Sequence, residues 1–137
     1  MKYQRANIKN KEKSVREGKD YHREDFRRRL YDFTLRLIEL IDKLPRETVS
    51  WRIGDQLLRS GTSIIGNYVE ARAGSSRKDY TNYFNTCLKS ANESRLWLEL
   101  LRDSGRVSNS EVEWFLRELT EVSNIFASSI LTLKSKK

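Results

Sequence analysis

The side chains able to do chemistry are most concentrated between residues 51 and 73, where Gln56, Arg59, Ser60, Ser63, Asn67 and Glu70 interrupt an otherwise apolar and glycine-containing stretch. Hydroxyls, an amide and a carboxylate at this spacing suit either hydrolysis or a hydrogen-bond network between helices. Hydrolysis by serine needs a general base beside the nucleophile. The one histidine, His22, lies far away in sequence, and residues 51–73 contain no lysine. With no nucleophile–base pair in sight, Gln56, Arg59, Ser60, Asn67 and Glu70, together with Glu93 further on, are expected to form a structural polar network. Any of them left buried without a partner would cost about 1 to 3 kcal/mol.

Other chemistries are excluded by count and spacing. A single histidine cannot build a multi-histidine metal site, and Glu70, Glu93 and Glu99 lack the histidine three residues on that dimetal carboxylate bundles use. Gly54, Gly61 and Gly66 recur at helical intervals and do not join a strand to a helix, so they do not read as a phosphate loop. Cys87 is alone, which rules out an internal disulfide and fits a small core residue in a reducing compartment. The chain is therefore expected to be non-enzymatic, with no catalytic residues, metal or cofactor.

Charge points elsewhere. The net charge is +8 and the isoelectric point about 9.7, a balance that attracts polyanions. Residues 1–29 hold 11 Lys/Arg against 5 Asp/Glu, whereas residues 30–137 hold 16 against 14, so the positive field is concentrated at the N-terminus. Lys9, Lys11, Lys13 and Arg16 sit in this arm. Arg27, Arg28 and Arg29 precede Tyr31, and Arg77 and Lys78 precede Tyr80, an interleaving of cations and rings that suits phosphate contact and base stacking. These nine cations are the candidate contacts for RNA or DNA. The alternative is a solvated surface on a protein interaction module.

Helices must position all of these groups. Residues 1–20 are charged and weakly periodic and are expected to form a flexible basic arm, with 21–137 as one four-helix bundle. Phe26, Leu30, Phe33, Leu37, Leu40 and Leu44 make an apolar seam for a first helix over about 21–43, stopped by Pro45. Thr48 or Ser50 is expected to cap the second helix, and Gly74, taking a left-handed conformation, to end it. Its inward stripe is Gly54, Leu57, Gly61, Ile64, Tyr68 and Ala71, thin enough for a close approach by Cys87, Ala91 and Ser94 of the third helix, over about 77–103.

Tyr83, Trp97 and Leu100 broaden the third helix's apolar face and suggest a second packing surface. Gly105 is expected to terminate that helix. Ser108 with Glu111, or Ser110 with Glu113, has capping-box spacing for a fourth helix running to about residue 133 along Val112, Phe115, Leu119, Val122, Phe126, Ile130 and Leu133. Four such helices joined by short loops make an all-α, antiparallel up-down-up-down bundle. No apolar run reaches the roughly 18 residues of a membrane span, and a cytoplasmic, membrane-free location is expected.

The run Gln56-Leu57-Leu58-Arg59-Ser60-Gly61-Thr62-Ser63-Ile64 with Asn67 and Glu70-Ala71 resembles the bacterial bundle proteins encoded by 23S rRNA intervening sequences. Leu44-Pro45, Ser76-Arg77-Lys78-Asp79-Tyr80 and Glu93-Ser94-Arg95-Leu96-Trp97-Leu98 extend the likeness over most of the chain outside the arm. The resemblance implies a left-handed-type bundle that assembles as a homopentamer, with no established biochemical role. The accessory variability determinant of diversity-generating retroelements is similar to the same family, which implies nucleic acid and a reverse transcriptase as partners.

Overall fold

The computed structural model describes the backbone of residues 19–74 and 76–135, with side chains from residue 24 onward. Four helices account for nearly all of it: α1 (Lys19–Asp42), α2 (Thr48–Ala73), α3 (Arg77–Asp103) and α4 (Asn109–Ser135). Each packs antiparallel on the next, and α4 returns to α1, closing an all-α bundle as the seams require. Of the proposed arm at residues 1–20, residues 1–18, with Lys9, Lys11, Lys13 and Arg16, lie outside the described residues, and Lys19 and Asp20 open α1.

The connections show where local signals were obeyed and where they were overridden. At the end of α3, Gly105 takes φ +77°, the N–H of Arg106 reaches the Leu101 carbonyl at 2.9 Å and that of Gly105 the Arg102 carbonyl at 3.0 Å. This is the double closure that a left-handed glycine permits. Ser108 then caps α4, accepting from the Glu111 N–H at 3.2 Å and donating to its carboxylate at 2.8 Å, which selects the first of the two candidate boxes.

Gly74, by contrast, is not left-handed. It is extended (φ −70°, ψ 157°), and its N–H still closes on the Glu70 carbonyl at 2.9 Å. Only Gly74, Ser75 and Ser76 separate α2 from α3, and an extended exit delivers Ser76 directly to its capping position, where it accepts from the Asp79 N–H at 3.0 Å. Neither Thr48 nor Ser50 caps α2 either. The N-cap is Glu47, which makes no side-chain cap bond. Its carboxylate receives the Ser50 hydroxyl at 3.1 Å and the Arg106 guanidinium, a charged donor that outcompetes a backbone amide.

All six residues of the α2 stripe are buried, as are Leu30, Phe33, Leu37 and Leu40 of α1 and the α3 and α4 seams apart from their ends. The use of the glycines differs from expectation. A Cβ on Gly61 would lie 2.1 Å from Leu37 Cδ2, and one on Gly54 would lie 3.5 Å from Ile41 Cγ2 and 3.2 Å from Leu44 Cδ1 in the following loop, so both glycines receive side chains from α1 or its exit. The close approach of α3 instead uses hydroxyls and a thiol: Ser60 Oγ meets Ser94 Oγ at 2.8 Å, Ser90 Oγ donates to Ser63 Oγ at 2.8 Å, and Cys87 Sγ donates to the Ile64 carbonyl at 3.3 Å. A helix turns about 100° per residue, so Ser60 and Gly61, adjacent in sequence, necessarily serve different neighbours.

Candidate nucleic-acid interface

The cations proposed to contact nucleic acid separate into three groups. Arg27 is exposed, and Arg77 and Lys78 are exposed in the first turn of α3. Arg28 is half-buried, with its guanidinium carbon 5.9 Å from the centroid of the Tyr31 ring. Arg29 is not available as a free cation. It faces α4, where Nε and Nη2 clasp the two oxygens of Glu118 at 2.7 and 2.8 Å while Nη2 also reaches Glu121 at 3.1 Å. The hydrogen bonds that Arg29 donates to Glu118 and the field of both carboxylates push the Arg29 pKa above its ordinary value.

Arg29 therefore belongs to the seam between α1 and α4, beside Arg36, which lies 4.3 Å above the Trp114 ring. Glu118, 12% exposed, would be left largely desolvated without it. Arg29→Met is expected to lower unfolding free energy by about 1 to 3 kcal/mol, the cost of a charge-assisted pair losing one partner. Urea denaturation checks this. The same variant should keep its affinity for RNA or DNA, and a loss of affinity without a loss of stability would return Arg29 to the interface.

The expected polar network is also redrawn. Ser60 is buried and bonded to Ser94, and Asn67 is half-buried, donating to the Ser63 carbonyl and hydroxyl at 2.8 and 2.9 Å. Gln56 is half-buried at the edge of the same side. Arg59, Glu70 and Glu93 do not join them, because all three are exposed. Counted at about 100° per residue, Arg59 and Glu70 fall well behind Leu57, and Glu93 behind Leu98, so the helical period carries them away from the seam. The groups that take their place are Ser63, Ser90 and Ser94. Tyr83 and Trp97, assigned to a second packing surface, are half-buried and pack against the core, leaving Leu100 exposed beside Leu96.

One polar pair was not anticipated. Arg72 Nη1, in the last turn of α2, donates to the Tyr80 hydroxyl at 2.6 Å, at the end of the bundle where α1 begins. The signal was present in the numbering: Arg72 and Tyr80 are equidistant from Ser76, and in an antiparallel pair such positions face each other. Ser63 and Ser90 obey the same rule to within a residue.

Among the described residues, no three His, Cys, Asp or Glu side chains stand together as a metal site. None of the described helices is long and apolar enough to cross a membrane. Cys87 is fully buried, and desolvation pushes its thiol up to about 12.

The comparisons with known proteins fit this architecture. The model of the family described as 23S rRNA-intervening sequence protein matches residues 23–128, which takes in α2 and α3 and most of α1 and α4. Among solved structures, a protein of unknown function from the S23 ribosomal protein family of Bacteroides thetaiotaomicron VPI-5482 superposes with a TM-score of 0.69 at 33% identity, covering 76% of this chain and 96% of that one. A comparison with curated proteins returned no match. With the match spanning the bundle and the fold shared at that identity, the chain belongs to the 23S rRNA-intervening sequence protein family.

Proposed function

We propose that this protein is a non-enzymatic, homo-oligomeric scaffold that holds RNA or DNA through its N-terminal basic segment. The observation that carries the reading is the separation of charge. Residues 24–135 hold 17 Lys/Arg against 16 Asp/Glu and are nearly neutral, whereas residues 1–23 hold 8 against 3, a net +5 of the chain's +8, with Lys136 and Lys137 supplying two more. Several of the bundle's cations are also committed, Arg29 to Glu118 and Arg106 to Glu47. An anionic partner is therefore drawn to the basic segment, and assembly would multiply that charge by the number of copies.

Self-association is supported by exposed apolar side chains where α1 and α2 adjoin. Tyr31 and Ile38 on α1 and Trp51 and Leu58 on α2 are 47%, 37%, 63% and 37% exposed, and the helical period sets all four along the outer groove between the two helices. A pentamer is the assembly this reading adopts from the resemblance. On the same basis its protein partner is a reverse transcriptase, with the chain acting as an accessory factor of a diversity-generating retroelement. The near neutrality of the bundle favours one other reading, a protein interaction module with no nucleic-acid role.

One experiment separates the two. RNA and DNA binding is measured across a salt series for the full-length protein and for the variant Lys9→Ala, Lys11→Ala, Lys13→Ala, Arg16→Ala, with light scattering to record particle mass. Affinity should fall with salt by about 0.7 to 0.9 logarithmic units per decade for each phosphate contacted, and the fourfold variant should flatten that slope by about 3. Little dependence on sequence is expected. Equal affinity and slope for both proteins would remove these cations from the mechanism, absence of binding at low salt would leave the interaction module, and a particle of 16.2 kDa would exclude the oligomer.

A further inference from the structure

The end of the bundle where α1 begins is hollow. Two adjoining cavities, of about 490 and 220 Å³, open between the last turns of α2 and α4 and the first turns of α3, and both are bordered by Arg72, Tyr80, Phe84 and Ser129. The larger falls in the range of small-ligand sites. Tyr80 meets Phe84 edge-on at 5.0 Å, and Phe84 rests on Phe126 at 5.3 Å, which gives the hollow a firm aromatic wall. On the α4 side, Ser129 and Thr132 donate their protons to the Ile125 and Ser128 carbonyls at 2.9 and 3.0 Å. Their oxygen lone pairs remain as acceptors for a ligand's donors.

The cation at this hollow differs from two at the other end of the bundle. Arg102 and Arg106 are paired with the carboxylates of Asp103 and Glu47. Arg72 is half-buried and donates to a neutral phenol, so its charge is held in place without being cancelled by that partner. Lys78 and Lys134 also lie in the neighbouring helix ends. A rigid aromatic wall, an oriented guanidinium and adjacent hydroxyl acceptors are the complements of a flat base, a phosphate and a sugar or amino donor.

We propose that this hollow binds a nucleotide, with the base against Tyr80 and Phe84 and the phosphate on Arg72. The inference deepens the nucleic-acid reading above and rests on it for one point, that the nucleotide in use is the terminal residue of a strand. α1 enters the bundle at this same end, with Lys19 as its first residue.

The test uses the full-length protein and AMP, followed by saturation-transfer NMR, with adenosine and ribose 5-phosphate as the separated halves. AMP should bind at millimolar concentration or below, and each half should bind at least about tenfold more weakly. Arg72→Gln should weaken AMP about tenfold or more and leave adenosine unaffected, since only the phosphate loses its charged donor. Ser129→Phe, which fills the hollow from α4 and keeps the arginine's charge, should abolish both and keeps the test decisive if Arg72→Gln destabilises the fold. The fourfold arm variant should bind AMP as the parent does but hold a short single-stranded RNA less tightly. No AMP binding, or equal binding by the parent and both pocket variants, overturns the proposal. Arm-dependent RNA binding without AMP binding would remove the pocket alone, and AMP binding without RNA binding would remove the polyanion reading alone.

Discussion

Gly61→Leu is expected to lower the unfolding free energy by about 3 kcal/mol or more, whereas Gly66→Ala, five residues on, should raise it by up to about 1 kcal/mol. The two glycines share a helix and differ only in what stands opposite. A Cβ at Gly61 would meet Leu37 Cδ2 at 2.1 Å, and Leu37 is fully buried, with no solvent into which it can swing. A leucine there has to displace the α1 seam, and displaced α1 exposes Phe33 and Leu30 as well. At Gly66 nothing lies within 4 Å, so alanine adds no clash and removes the conformational freedom that glycine brings to the unfolded chain. For a chain of this size the difference corresponds to a separation in Tm of roughly 10 °C, readable by circular dichroism. Equal melting of the two variants would show that α1 does not seat on Gly61.

Cys87 should react with a thiol-specific disulfide reagent about a thousandfold more slowly in the native protein than in denaturant at pH 8. Burial pushes its thiol from the ordinary 9.0 up to about 12, and the thiolate is the reacting form. At pH 8 the thiolate is therefore about a thousandfold scarcer in the native protein, before any steric exclusion by the surrounding α2 and α3 residues is counted. The same burial makes stability depend on pH. In the unfolded chain the thiol ionises near its ordinary value, while the folded protein holds it neutral. Above about pH 9 the unfolded state is therefore stabilised by proton loss, and the native advantage falls by about 1.4 kcal/mol per pH unit until the folded group ionises near 12. Below pH 9 the contribution is fully present. Cys87→Ala should flatten this alkaline loss relative to the parent, at the expense of the bond to the Ile64 carbonyl. Native labelling at the rate of a free thiol would contradict the burial.

Much of this protein is determined by sequence alone, and for local reasons. Helix number, the inward residue of nearly every turn, the closure at Gly105 and the cap at Ser108 follow from interactions among residues a few positions apart, which no distant partner needs to supply. Periodicity also says that Ser60, Gly61 and Ile64 point inward. It does not say toward which neighbour, because that depends on the rotation of each helix and the direction in which the bundle turns. The tertiary structure decided that Gly61 receives Leu37 of α1 while Ser60 meets Ser94 of α3, and that Arg29 faces Glu118 across the seam to α4. It also left a hollow beside Arg72 and Tyr80. Each of these is a contact between helices, whose energy depends on the spatial arrangement of side chains far apart in the chain, and a one-dimensional pattern carries no record of that arrangement.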